Sequence, residues 1–192
     1  GRLQSVELQG GLDGDRLDAL SVKGNLEDAR VEARGMAPAI WGADGYAEFL
    51  YTADTGQLRG FVEVDAPDLG LHLPRLFDQA WNYDHVNGRV NVSLDTAAGV
   101  DLRVSSSVIT AASDLITGRA QFATTLEIDE GGDPTIGLEL MVGALGGDAG
   151  RKSAYLPMGP GAPRSAQGIL GWVDQSVLAG EVAGSGLIFR GE

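Results

Sequence analysis

The chain has 192 residues, a formal net charge of −13 and no cysteine. An acidic surface repels phosphate backbones, which argues against nucleic acid as a partner. Without cysteine, neither a disulfide framework nor a thiolate metal site can form.

Hydrophobic residues make up 43% and charged residues 21%, an ordinary balance that permits an apolar core or groove. Glycine is abundant at 29 residues and aromatics are only 6%. Many turns, and hence many strands, are expected. No run approaches 18 apolar residues and no leader is visible. The chain begins at Gly1 without a methionine. It reads as a piece of a longer protein whose targeting elements lie outside it.

Taken in order, the chain first shows short alternating runs at Val6–Leu8, Leu20–Val22, Val31–Ala33, Ala47–Tyr51 and Phe61–Val64. A helix is predicted over Leu73–Asn82, where Pro74 stands early and Leu73, Leu76, Phe77, Ala80 and Trp81 recur at helical spacing. The clearest alternation follows. Val90, Val92 and Leu94 alternate with polar residues, as do Val100, Leu102 and Val104. Phe122–Ile128 alternates more weakly, and Ile136, Leu138, Leu140 and Val142 repeat the pattern. Such spacing puts every apolar side chain of a strand on one sheet face. The Gly- and Pro-rich stretch 143–163 is expected to be a mobile loop. A second helix is predicted over Ser165–Leu178, with Ile169, Trp172, Val173 and Val177 on one side.

Asp13-Gly14, Asp44-Gly45, Asn87-Gly88 and Gly131-Gly132-Asp133-Pro134 read as turns. Hairpin links make the sheet mostly antiparallel, with ten to twelve strands expected. A loose repeat of about 30 residues is marked by Gly24, Gly60, Gly88 and Gly118, each read as opening a strand. The expected fold is therefore mainly β: a curved, mostly antiparallel sheet of repeated hairpins with an apolar concave groove, plus two short helices. Its parts are hairpins over 1–142 with a helix near 73–82, the loop 143–163, and a helix and final strand over 164–192.

A search for chemistry returns little. No nucleophile elbow occurs, and Ser105-Ser106-Ser107 reads as a polar strand edge. His72 and His85 are the only histidines, too few and too isolated for a zinc site. Gly146–Ser153 (GGDAGRKS) lacks the lysine placement and following helix of a phosphate loop. Asp129, Glu130 and Asp133 suit a solvated turn better than a calcium site. No general acid and base can be paired, so no catalytic, cofactor or metal residue is nominated.

One ordered set of motifs does carry a resemblance. Leu73-Pro74-Arg75-Leu76-Phe77 is followed by Trp81 and Val86-Asn87-Gly88-Arg89-Val90. Gly118-Arg119-Ala120-Gln121-Phe122 and Leu138-Glu139-Leu140 come next, then Tyr155-Leu156-Pro157 and Trp172-Val173-Asp174-Gln175-Ser176-Val177, with Gly180 beyond. Over roughly residues 69–191 this order resembles the YhdP proteins, large members of the AsmA-like family of bacterial envelope proteins. The first 68 residues share only the strand-and-glycine texture.

The resemblance implies a periplasmic segment of an inner-membrane-anchored protein, with the anchor outside this chain. It implies no enzyme. Its implied partners are phospholipid acyl chains and the rest of its own larger chain, and its implied task is to carry phospholipids between inner and outer membranes. The lipid-contacting residues are then Val90, Val92, Leu94, Val100, Leu102, Val104, Leu138 and Leu140 on one concave face. The alternation equally suits a structural or protein-interaction domain with a dry β core, because both environments require the same pattern. An envelope hydrolase is a third reading without a constellation to support it.

Overall fold

The computed structural model describes residues 1–13, 16–34, 38–97, 99–128, 135–161 and 164–191. Thirteen strands belong to one antiparallel sheet: β1 (Arg2–Asp13), β2 (Arg16–Val31), β3 (Ala39–Thr52), β4 (Gln57–Ala66), β5 (Leu69–His72), β6 (Trp81–Tyr83), β7 (His85–Asp95), β8 (Val100–Ser106), β9 (Ile109–Ala112), β10 (Ile116–Ile128), β11 (Thr135–Asp148), β12 (Glu181–Val182) and β13 (Ser185–Gly191). A 3₁₀ helix (Ala149–Tyr155) and one α-helix, α1 (Arg164–Ser176), complete the chain. The spatial order is β1-β2-β3-β4-β7-β8-β10-β11, with β12 and β13 both pairing β11. At about 4.8 Å per strand, the nine-strand path from β1 to β13 is roughly 38 Å wide.

The mainly β, mostly antiparallel expectation with two short helices is met, but the elements fall differently from the expected ones. Residues 73–82 do not form a helix. Pro74–Leu76 make a turn in which the amides of Leu76 and Phe77 both donate to the Leu73 carbonyl, at 3.0 and 2.9 Å, and Trp81 already belongs to a strand. The helical spacing there lacks the length to propagate, so one turn forms and stops. The α-helix near the C-terminus runs Arg164–Ser176, close to the expected span.

The stretch 143–163 is not a structureless loop. β11 continues to Asp148, and the 3₁₀ helix follows, with the Asp148 carboxylate accepting from the Gly150 amide at 2.8 Å. Asp44-Gly45 and Asn87-Gly88 lie inside β3 and β7 rather than at turns. The expected turn at Asp13-Gly14 falls partly, and the one at 131–134 wholly, outside the described residues, as does the Asp129, Glu130 and Asp133 cluster.

Gly24, Gly60, Gly88 and Gly118 likewise lie within strands instead of opening them. Their role is steric relief. A Cβ on Gly60 would come within 2.3 Å of the Phe49 ring, its cross-strand partner, and one on Gly88 within 2.8 Å of Ile109. Gly60 and Gly88 make room for a neighbour's side chain to lie across the sheet, whereas Gly118 faces the Gly143 carbonyl.

The three consecutive serines also differ from their expected role as an edge. β8 and β9 run in series between β7 and β10, separated by a break at Ser107-Val108. Ser106 is buried and its Oγ accepts from the Phe122 amide at 2.9 Å. The Ser107 Oγ accepts from the Arg89 amide at 3.0 Å. The hydroxyls thus satisfy amides that the broken ladder would leave unpaired.

Candidate functional site

Directly paired residues of antiparallel strands project to the same face, so register alone defines what each face carries. One row crosses the sheet as Leu8, Val22, Phe49, Gly60, Val92, Val104, Thr124 and Leu138. A second runs Leu20, Tyr51, Leu58, Leu94, Leu102, Leu126 and Ile136. A third runs Gly24, Ala47, Val62, Val90 and Ser106, and its line is taken up by Phe122 opposite Leu140. Val100 opposes Ile128 on the same face.

All eight residues singled out in the sequence therefore share one face. The structure adds Leu8, Leu20, Val22, Phe49, Tyr51, Leu58, Phe122 and Leu126, whose alternation is interrupted in sequence by Gly60 and Thr124 and shows fully only across strands.

The opposite face is polar. Lys23 pairs with Glu7 at 3.0 Å, Arg103 with Asp101 at 2.7 Å and Arg190 with Glu139 at 2.8 Å. Arg89 pairs with Glu63 at 3.1 Å while its guanidinium lies 3.6 Å from the Phe61 ring centroid. These exposed pairs each contribute little to stability, since water screens them. Their consequence is orientation: charge dominates this face, although Leu50, Phe61, Met141 and Ile188 also lie on it, while the continuous apolar rows are on the other.

That apolar side is uncovered over the central strands. Val90, Val92, Leu94, Leu102, Val104 and Leu140 are half-buried, and Leu138 is 38% exposed. Among the described residues no large side chain is fully buried. The accessible surface is 12400 Å² for a 20.0 kDa chain. A compact monomer of that mass presents about 8,700 Å² by the usual scaling. The excess of roughly 40% is what a sheet lacking a second layer would show.

One end is different. Where β4 stops and β7 starts, β5 pairs the beginning of β3, and β6 pairs β5. Ala66, Leu69 and Val86 are buried there, with Ile40, Val64, Leu71, Tyr83 and Ile109 packed on them. Trp81 donates from Nε1 to the Ala154 carbonyl at 2.7 Å and stacks on Tyr155 with ring centroids 5.1 Å apart. Phe77 meets the Trp81 ring edge-on at 4.5 Å. Burial pushes the Tyr83 hydroxyl far above the ordinary tyrosine range, and Tyr155 is raised for the same reason. The Tyr155 hydroxyl is closed off from solvent without a well-formed hydrogen bond among the described residues.

One depression of about 750 Å³ lies between the β9–β10 turn and the end of β11, and another of about 330 Å³ lies beside Phe122 and Leu140. The first is lined by Ser113, Asp114, Asp148 and Glu181 among others and holds no nucleophile–base pair. Arg151 and Lys152 of the GGDAGRKS stretch are turned to carboxylates, Asp114 at 3.0 Å and Asp174 at 3.9 Å, rather than to an anion cradle. Among the described residues no three His, Asp or Glu side chains gather as metal ligands, and no helix is long and apolar enough to cross a membrane.

Fold and face together define a single-layer antiparallel β-protein with one apolar and one polar side. No protein-family model, no curated protein and no solved structure matches the chain.

Proposed function

We propose that this chain is a lipid-contacting segment of a larger periplasmic bridge, and that phospholipid acyl chains lie on its apolar face on their way between the inner and outer membranes. The observation that carries the reading is the uncovered face itself: three largely apolar rows, one crossing eight strands and two crossing seven, with no second layer upon them among the described residues.

An apolar surface of this size in water is costly at about 25 cal/mol per Å², so an occupant is favoured. Acyl chains gain about 0.8 kcal/mol per buried CH₂ before the costs of immobilisation, and they need area rather than specific polar contacts. That matches a face bearing hardly any polar side chain, and it asks nothing of a catalytic group. The order of motifs resembling the YhdP proteins points the same way, and the reading assigns the inner-membrane anchor to parts of the protein outside this chain.

The rival reading, a structural or interaction domain with a dry core, draws support from the small cluster around Ala66, Leu69 and Val86. That cluster lies at one end and leaves the central rows open.

The test is a photo-crosslinking side chain placed at Leu102 on the apolar face and, as control, at Arg103 on the polar face, in the full-length protein in cells. Phospholipid adducts at 102 and not at 103 are expected. Equal labelling at both positions, or none at either, removes the reading.

A further inference from the structure

The apolar face is open along most of its length but dry at the end where a short flap, the β5–β6 pair, carries the β4–β7 pairing onward in the same sheet. Leu69 and Leu71 of β5 and Tyr83 of β6 belong to the cluster around Ala66 of β4 and Val86 of β7. Ala66 and Val86 oppose each other, and their strands carry Val62, Val90 and Val92 further along on the same face. The same apolar side is thus dry at one end of β4 and β7 and accessible in their middle.

The flap made by β5 and β6 is short, four and three residues, and by itself would be a weak element. It is braced from outside by the segment 149–161, which leaves the end of β11 as the 3₁₀ helix. Arg151 ties the helix to Asp114 in the β9–β10 turn at 3.0 Å. Ala154 and Tyr155 then take Trp81 by hydrogen bond and ring stacking. Beyond them, the Gly159 amide donates to the Leu76 carbonyl at 2.9 Å and the Gly161 amide to the Arg75 carbonyl at 2.6 Å. Gly159 is buried against that turn, and a Cβ on it would lie 2.8 Å from the Leu76 carbonyl carbon. The backbone approaches there as only glycine allows. The strap is therefore fastened at three points, and its contacts with the flap converge on β6 and the turn before it.

We propose that the strap 149–161, latched on Trp81, is a closed end-wall of the apolar face at its β5–β6 end. Acyl chains then reach the rows through Val90, Val92 and Leu94 but not the packed side chains around Val86, and releasing the latch would lengthen the accessible face by the Val86 and Gly88 positions. The consequence for lipid rests on the acyl-chain reading above. The wall and latch themselves do not, and the experiment keeps the two apart.

The chain has no cysteine, so single thiols can be placed without background. Val86→Cys reports from behind the wall, where Val86 is 7% exposed, and Leu138→Cys from the open face. N-ethylmaleimide should modify position 138 at least tenfold faster than position 86. Adding Trp81→Ala should raise the rate at 86 to near that at 138 while leaving 138 unchanged. Should Trp81→Ala accelerate both positions, signifying general unfolding, Tyr155→Leu, which removes only the strap's side of the stack, decides between the outcomes. A rise at 86 alone supports the latch, and no selective rise overturns it. Equal rates at 86 and 138 in the parent protein overturn the wall. Lipid photo-adducts at Leu102, scored separately, bear on the conduit and leave these thiol results standing.

Discussion

The middle of the sheet and its β5–β6 end use the same kind of residue on the same face to opposite effect. Around Leu94 and Leu102 the apolar side chains have neighbours only within the sheet and stay half-exposed. Around Ala66 and Val86 similar side chains gather with Leu69, Leu71 and Tyr83 of the flap and become dry. Period-two alternation establishes that a face is apolar. Whether it becomes core or surface depends on seven flap residues and one strap, and those come from segments with no strong pattern of their own.

The contrast is broken or sharpened most directly by a buried charge. Val86→Arg places a guanidinium among Ala66, Leu69 and Leu71 with no carboxylate beside it. Leaving a buried charge uncompensated costs about 3–5 kcal/mol, a large part of a domain's whole stability. Leu102→Arg puts the same group on the open face, where its stem lies along Leu94 and Leu126 and its head reaches water. A loss of about 0.5–1.5 kcal/mol is expected there, at the low end of what single substitutions cost. Chemical denaturation of the two variants measures the difference. Equal losses would mean that something covers the central rows as closely as the flap covers Val86.

The same division explains what could be read from the sequence. The strands from Arg89 to Leu140 were legible because their alternation is strict, and the eight residues chosen from it do fall on one face. The first half was read as short fragments, since Gly24, Gly45 and Gly60 resemble turn signals when only neighbours along the chain are visible. Their purpose is cross-strand, as Phe49 lying over Gly60 shows. Leu73–Asn82 misleads for a related reason. Phe77 and Trp81 are four apart, as on a helix, but they meet each other across a turn, and Trp81 stacks on Tyr155. The strap was taken for a free loop because its anchors are backbone carbonyls and one indole N–H, none of which leaves a periodic trace. The open surface of the face is likewise a matter of what is absent above it, which no run of residues encodes.

Glycines offer a second and smaller test. Gly60→Ala would press a Cβ to 2.3 Å from both the Phe49 ring and the Glu48 carbonyl oxygen, forcing the ring off the strand. Overpacking of that kind costs about 1–3 kcal/mol. Gly146→Ala, within β11, meets nothing within 4 Å and should be neutral or slightly stabilising, because the unfolded chain loses freedom. Thermal melts of the pair check this. If Gly60→Ala is as harmless as Gly146→Ala, Phe49 does not lie across the sheet, and the row through Val22, Phe49 and Val92 is interrupted there.

The smallest expected effect concerns pH, and it separates the two regions by the side of neutrality on which each weakens. In the closed end, Tyr83 and Tyr155 have raised values because burial disfavours their phenolate forms. Their contribution is complete below the unfolded tyrosine value of about 10 and declines as pH climbs above it toward the folded values. Alkali should therefore loosen the flap. On the open side, the Asp95 carboxylate accepts from the Ala97 amide at 2.9 Å and from Gln57 Nε2 at 2.8 Å. These bonds, the first above all, hold its value below the usual aspartate range. A depressed carboxylate contributes above its unfolded value of about 3.9, and the contribution disappears as pH falls through the lower folded value. Acid should thus weaken the β7–β8 turn while leaving the tyrosine cluster intact. Asp95 is on the surface, so the effect is slight. Asp95→Asn keeps an acceptor for Ala97 but does not titrate, and it should remove this part of the acid dependence with little change at neutral pH. Amide exchange followed at pH 3 and pH 7 at Ala97 and, for comparison, Tyr83 gives the readout. Faster exchange at Ala97 in acid beyond the intrinsic pH trend, abolished in the Asn variant and absent at Tyr83, is the expected result. An acid response shared by both sites would mean that the open turn and the closed end unfold together.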